Sequence, residues 1–300
     1  MPNAERRYYR IAELNININF IKSTVNDETL IPSFRNFALQ TPAEDVFLQM
    51  DVDDTIRPSR KEDIELIRNF DTGNGITSVA KTLNPNDGGY QFIVRDIIGN
   101  KCCFLKSNED FSINRCALYG THHMRRFGLN NALMLAMAFK GSYKDLLLVH
   151  ASLVRHNGKG YAFIAKSGTG KSTHVGMWLR HIENCDLMND DCPIIRIIDD
   201  RAYIFGSPWS GKTPCYRNTK ARLGAITRIA RGLENSIEKE SPVTALASLL
   251  PSCSTMKWDR EIFGNLCATL SKVIETTDIY TLHCLPNKDA AILCHKVISK

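Results

Sequence analysis

The sequence predicts a mixed α/β protein preceded by a β-rich N-terminal region. Three observations carry that prediction. A glycine-rich segment at 165–173 stands between an apolar strand pattern at 161–165 and a helical pattern at 171–182, a strand–loop–helix succession typical of α/β folds. Upstream, Leu14, Ile16, Ile18 and Phe20 alternate with Glu13, Asn15, Asn17 and Asn19, the period-two signature of a half-buried strand. Turn residues then recur between short apolar runs across 7–120, which punctuates strands rather than helices.

Taken in order, N-terminal strands are expected at 13–20, 45–52, 76–83, 90–96, 101–106 and 113–119, with turns at 72–75, 84–89 and 99–100. This spacing predicts a small antiparallel sheet with no reactive constellation in it. The character changes near Thr121, so one domain is expected over 1–120 and a second over 121–300. The second opens with a helix at 129–140 that Gly141 and Ser142 stop. Strands at 146–154 and 161–165 flank His156-Asn157-Gly158-Lys159-Gly160, a hairpin signal. The helix at 171–182 follows, then a short strand at 187–188 and a hairpin of 193–198 with 202–205. Helices are expected at 242–250, 259–274 and 288–298, the last N-capped by Asn287 and preceded by a strand at 279–285.

Composition narrows the function classes. Of 300 residues, 43% are hydrophobic and 23% charged, and 38 Lys and Arg against 32 Asp and Glu give a net charge of +6. That excess is too mild for a nucleic-acid partner but suits an acidic ligand such as a nucleotide. The longest apolar run, 132–139, falls far short of the roughly 20 residues of a membrane span, so no membrane association is expected. No apolar stretch follows the arginines of the first ten residues, which argues against a secretory signal and for a cytoplasmic location. Ten cysteines include no C-x-x-C pair and read as small buried hydrophobes.

The sharpest signal is Lys166-Ser167-Gly168-Thr169-Gly170-Lys171-Ser172-Thr173. Glycines let a backbone curl so that successive N–H groups face an anion, and a helix N-terminus adds its positive end. Ser167 to Thr173 are therefore candidate nucleotide-binding residues, with Lys171 supplying charge to the outer phosphates and Ser172 a hydroxyl to magnesium. Ala165 stands where the strict pattern has glycine, which is compatible with a negative φ there. Asp190 and Asp191 follow a short apolar strand. One carboxylate of such a pair can hold Mg2+ on nucleotide phosphates while the other accepts a hydroxyl proton; a solvated loop is the plain alternative. Asp199-Asp200, between two strand patterns, is explained by its hairpin turn. Hairpin register places His150 across from 165–166, within reach of phosphate, metal or carboxylates, though a hydrogen-bonded strand histidine explains it equally. A loop at 206–214 adds Lys212 and, just beyond, Arg217, candidates for stabilising charge on a transferring phosphoryl group or solvated cations of a structured turn.

Together, His150-Ala151-Ser152-Leu153-Val154, the strand at 160–165, Ser167-Gly168-Thr169-Gly170-Lys171-Ser172 and Asn189-Asp190-Asp191 resemble the catalytic domain of the HPr kinase/phosphorylase family and its relative phosphoenolpyruvate carboxykinase. The likeness runs from His150 to Lys212 and leaves 1–120 uncovered. It implies a carboxykinase-like P-loop domain that uses ATP and Mg2+. Lys171 and the loop amides would bind the β- and γ-phosphates, Ser172 and Asp190 the metal. Asp191 would be the base toward a serine hydroxyl of a protein or peptide, with His150 beside the phosphate. The stretch Glu-Ile-Arg-Gly-Leu-Gly of the bifunctional enzymes is absent, the nearest text being Ala-Arg-Leu-Gly-Ala-Ile at 221–226, so a kinase without phosphorylase activity is expected. A non-catalytic nucleotide-binding regulator and a carboxykinase-type metabolic enzyme stay open, as does homo-oligomer formation.

Overall fold

The structure, a computed structural model, describes residues 4–21, 23–71, 75–84, 88–166 and 168–300. The turns expected at 72–75 and 84–89 fall largely outside the described residues. The chain divides into two compact units, 1–140 and 141–300.

The first unit contains β1 (Ala4–Ile11), β2 (Leu14–Ile21), β3 (Ala38–Leu39), β4 (Leu48–Val52), β5 (Ile64–Asp71), β6 (Gly75–Thr82), β7 (Tyr90–Asp96), β8 (Lys101–Ser107), β9 (Ile113–Leu118) and α1 (His122–Gly141). The strands form one sheet in the order β3-β1-β2-β4-β9-β8-β7-β6-β5. This corrects the expected all-antiparallel sheet, because β4 pairs parallel to both β2 and β9. Parallel pairing needs a crossover rather than a tight turn. The short 3-10 turns at 28–37 supply one crossover, and the β5–β8 hairpins the other.

The boundary also moves, from 120/121 to 140/141, because α1 packs onto this sheet. Phe139 near its C-terminal end lies 5.1 Å from Phe111 and 6.1 Å from Phe92, ring centre to ring centre. At Gly128 the helix approaches β8 so closely that a Cβ would stand 2.6 Å from the Cys102 carbonyl oxygen. A Gly128→Val variant is therefore expected to destabilise this unit by about 2 kcal/mol, read as a lower urea midpoint.

The second unit holds β10 (Leu146–Leu148), β11 (Ala151–His156), β12 (Lys159–Ile164), α2 (Lys171–His181), β13 (Cys185–Asp191), β14 (Ile194–Ile198), β15 (Arg201–Phe205), β16 (Lys220–Arg231), β17 (Ser236–Lys239), α3 (Pro242–Leu249), α4 (Arg260–Thr276), β18 (Asp278–Cys284) and α5 (Lys288–Ile298). Its mixed sheet runs β10-β14-β15-β16-β12-β11-β13, with β18 parallel to β16 and β17 on β18. Helices cover both faces. Val175 and Trp178 of α2 and Ala291, Cys294 and Ile298 of α5 pack on one; Leu249 of α3 and Leu266, Leu270 and Val273 of α4 pack on the other. A mixed α/β fold is thus established. Among the described residues no helix is long and apolar enough to cross a membrane, and all ten cysteines are free thiols.

Two features of this sheet position the site. The strand expected over 146–154 breaks at Val149–His150: β10 pairs with β14, whereas β11 pairs with β12 and β13. At the break the His150 N–H donates to the Ser252 carbonyl at 2.6 Å, so His150 leaves the ladder at the strand mouth. The second feature is β16, a central strand flanked by β12 on one edge and by β15 and β18 on the other. Lys220, Arg222, Arg228 and Arg231 interrupt its apolar pattern and hide it from periodicity.

The core under α2 carries one buried titratable group, held by a hydrogen bond. The Trp178 Nε1–H donates to His174 Nε2 at 3.0 Å, and both residues are buried. Burial pushes the His174 imidazole down to about 4. In the window between that value and the ordinary 6.5, the unfolded chain binds a proton that the folded chain refuses. Stability is therefore whole above pH 6.5 and falls by about 3 kcal/mol as pH drops to 4. Urea midpoints measured across that window should show the slope, and His174→Gln should remove it.

Candidate functional site

The site is built where β12 runs into α2 and where β13 ends. Between Ile164 and Lys171 the backbone turns back on itself, with the Thr169 N–H donating to the Lys166 carbonyl at 3.1 Å. Gly168 has φ +76° and Gly170 φ +118°, left-handed values that L side chains rarely adopt. Nothing lies within 4 Å of where their Cβ atoms would sit, so conformation rather than crowding demands glycine here. Gly170 is also the N-cap of α2 and supplies no capping side chain, leaving the first-turn N–H groups of the helix open to a ligand. Ser167 lies outside the described residues. Ser172 and Thr173 are exposed in the first turn, and Lys171 is half-buried.

Three side chains join into a chain of hydrogen bonds. Lys171 Nζ lies 3.0 Å from His150 Nε2, and His150 Nδ1 lies 2.9 Å from Asp191 Oδ1. An ammonium can only donate, so His150 Nε2 accepts from Lys171 while its Nδ1–H donates to the carboxylate. His150 thereby links a cation to an anion. Burial pulls the Lys171 ammonium below its ordinary value, against the attraction of Asp191 and Asp190. Burial would raise the Asp191 carboxyl, but the His150 hydrogen bond and the nearby Lys171 ammonium outweigh it and hold the group below the ordinary carboxylate range. Asp191 is therefore ionised at neutral pH, and its Oδ2 has no hydrogen-bond partner among the described residues.

Asp191 also carries backbone strain. Its φ of +117° is unusual for a residue with a side chain, and such outliers collect at functional sites. Its neighbours enforce the conformation: Asp191 pairs with Ala151 on β11 and bridges Ser210 of the loop. A Cβ on Gly211 would stand 3.1 Å from that of Asp191, so glycine lets the loop approach closely here.

The structure separates the two aspartates by environment. Asp190 is 6% exposed; Ser152 Oγ donates to its Oδ1 at 2.6 Å and the Thr213 N–H to its Oδ2 at 3.3 Å. Both oxygens are engaged by the protein in this structure. Its main-chain oxygen accepts from Ser210 Oγ and from the Gly211 N–H. Buried Asn189 adds Nδ2 contacts to the carbonyls of Trp209 and Cys215. Asn189 and Asp190 thus fasten the 206–215 loop to β13 and leave Asp191 at its rim.

Arg217 is not gathered into this cluster. It donates to Asp186 Oδ2 at 2.7 Å and to the Leu187 carbonyl at 2.6 Å, at the opposite end of β13 from Asp191. Lys212 is exposed on the loop, next to Gly211. Sequence reasoning passed over three contributors. Ser152 was legible as the residue two beyond His150 on one strand, paired with Asp190 in register. Gly211 had only its loop to mark it. Arg231, at the end of β16, donates through Nη2 to the Gly168 carbonyl at 2.8 Å and tethers the loop from outside; with β16 unrecognised, nothing pointed to it.

No family model matches this chain, and no curated protein does. Among solved structures, it aligns with the Hpr(Ser) kinase/phosphatase from Coxiella burnetii at a TM-score of 0.30 and 8% identity, over 51% of this chain and 93% of that one. Similarity at that level decides nothing about chemistry, which has to come from the residues.

Proposed function

We propose that the chain is a P-loop phosphotransferase moving the γ-phosphoryl group of ATP to a hydroxyl, taken as a serine of a protein or peptide. The hydrogen-bonded series Lys171–His150–Asp191 carries this reading. A cation beside the open amides of α2 suits terminal phosphates. An ionised carboxylate one imidazole away, with a free oxygen, suits an attacking hydroxyl. In the transfer, the bond from the γ-phosphorus to the bridging oxygen breaks and leaves ADP. A bond from that phosphorus to the serine oxygen forms, and the hydroxyl proton passes to Asp191 Oδ2. Lys171 loses its imidazole contact as it turns to phosphate, and His150 keeps Asp191 oriented through Nδ1.

Magnesium is the expected companion of ATP. Among the described residues no group of three histidine, cysteine or acidic side chains is assembled to hold a metal, so the fit is that of an ion completed by phosphate oxygens and water. The Ser172 hydroxyl is the hard donor that would hold it, and the ion would neutralise phosphate charge. Incubating the protein with γ-labelled ATP and lysate from its own host should label one acceptor, identified by mass. Lys171→Ala is expected to lower both nucleotide binding and labelling by at least about 100-fold in the latter. Saturable ATP binding with no labelled acceptor would instead favour the regulator, and labelling by Lys171→Ala at the wild-type rate would overturn the proposal.

A further inference from the structure

Away from this cluster, the far end of β13 holds an open cavity of about 530 Å³ lined by Arg155, Asn157, Gly158, Asn184, Cys185 and Asp186. Its charge is unbalanced in a specific way. Arg155 donates through Nε and Nη2 to both oxygens of Asp186, at 3.1 and 2.8 Å. Had the pair stood alone, the cavity would be neutral. Arg217, outside the cavity lining, donates to the same Asp186 oxygen as Arg155 Nη2, so two guanidinium groups share one acid and the cluster behind the lining keeps a net positive charge. Arg155 Nη1 has no partner among the described residues. Its guanidinium is fixed by Asp186, so little freedom is lost when that spare edge takes a ligand.

The register ties this cavity to the proposed site. Asp186 pairs with Arg155, and Asp191 with Ala151. Although the two aspartates are five apart in sequence, a bulge beside Leu153 and Val154 absorbs one residue. They therefore oppose positions four apart on β11, on one face of the sheet, about 14 Å from each other at strand rise. Leu153 and Asn189 between them are buried, so a segment joining the two runs along the outer edge of β13, the end strand of the path, where an extended chain covers that distance in about four residues.

We infer that the cavity at Arg155 is an acceptor subsite that takes an acidic side chain of the protein or peptide substrate, about four residues from the hydroxyl presented to Asp191. The inference rests on the phosphotransferase reading for its meaning but not for its test. Two fluorescent serine peptides are compared for binding to the full chain without nucleotide. One carries glutamate four residues to either side of the serine, and the other carries glutamine there. The glutamate peptide should bind about tenfold more tightly. Arg155→Gln should abolish that preference, and Arg217→Gln should shrink it by removing the excess positive charge on Asp186. Lys171→Ala should leave it intact, so a failed transfer assay and a failed subsite are told apart. If Arg155→Gln does not fold, the Arg217→Gln comparison decides. Equal affinity for the two peptides, or a preference that survives these arginine variants, overturns the inference.

Discussion

Replacing Asp191 by asparagine is expected to lower phosphoryl transfer by roughly 10²- to 10⁴-fold, the range that a positioned general base contributes, while ATP binding changes little. Asparagine is the informative choice. It tolerates positive φ better than other residues with side chains, so the φ of +117° need not relax. Its carbonyl can still accept from His150 Nδ1, which preserves the imidazole's orientation and tautomer. What it cannot do is take a proton. Alanine would confound loss of the base with a backbone rearrangement and a freed His150. Lys171 should respond in the direction that burial already drives it: without the Asp191 charge its ammonium is less supported and its proton is released at lower pH. Chemical labelling of Lys171 should thus become easier in the variant. Transfer within tenfold of wild type would remove Asp191 from the role of base, and unchanged Lys171 reactivity would remove the electrostatic link.

Much of this arrangement is legible from residues alone, because it rests on local rules. Strand, glycine turn and helix are encoded within 161–182, and the left-handed Gly170 is a position that the phosphate-binding pattern asks to be glycine. Hairpin arithmetic puts His150 opposite 165–166, but the observed β11–β12 pairing stops at Ser152 with Phe163 and His150 lies just beyond the ladder. The losses come where a partner lies far along the chain. Asp190 and Asp191 are equivalent in sequence; Ser152, 38 residues earlier, turns one of them inward. Arg217 looks like a free cation until Asp186, 31 residues before it, is found beneath it. The strand β16 is masked by four basic residues at positions its neighbours leave open. The helix α1 is recognisable as a helix, but only packing at Gly128 and Phe139 shows which sheet it serves.

Trp178→Ala is expected to destabilise the second unit by roughly 3–5 kcal/mol. The side chain is fully buried between α2 and the sheet, and its ring centre lies 5.3 Å from Phe163, 5.6 Å from Tyr161 and 5.4 Å from His295. Truncation empties the space into which α2, α5 and two strands all project, so no single element can move in to fill it. A second penalty adds to the cavity. His174 Nε2 loses its Trp178 donor and is left as a buried acceptor that must stay unpaired or take a proton. The proton relieves the missing hydrogen bond, so the His174 titration should move upward from about 4 and the acid limb of stability should flatten. Trp178→Phe separates the two effects, since it restores most of the ring while still removing the donor. It should recover most of the urea midpoint but keep the altered pH slope. Because α2 begins at Lys171, the loss is also expected to reach the site, with nucleotide affinity falling in the alanine variant more than in the phenylalanine one. A Trp178→Ala midpoint close to wild type would mean that α2 is held by its ends rather than by its core.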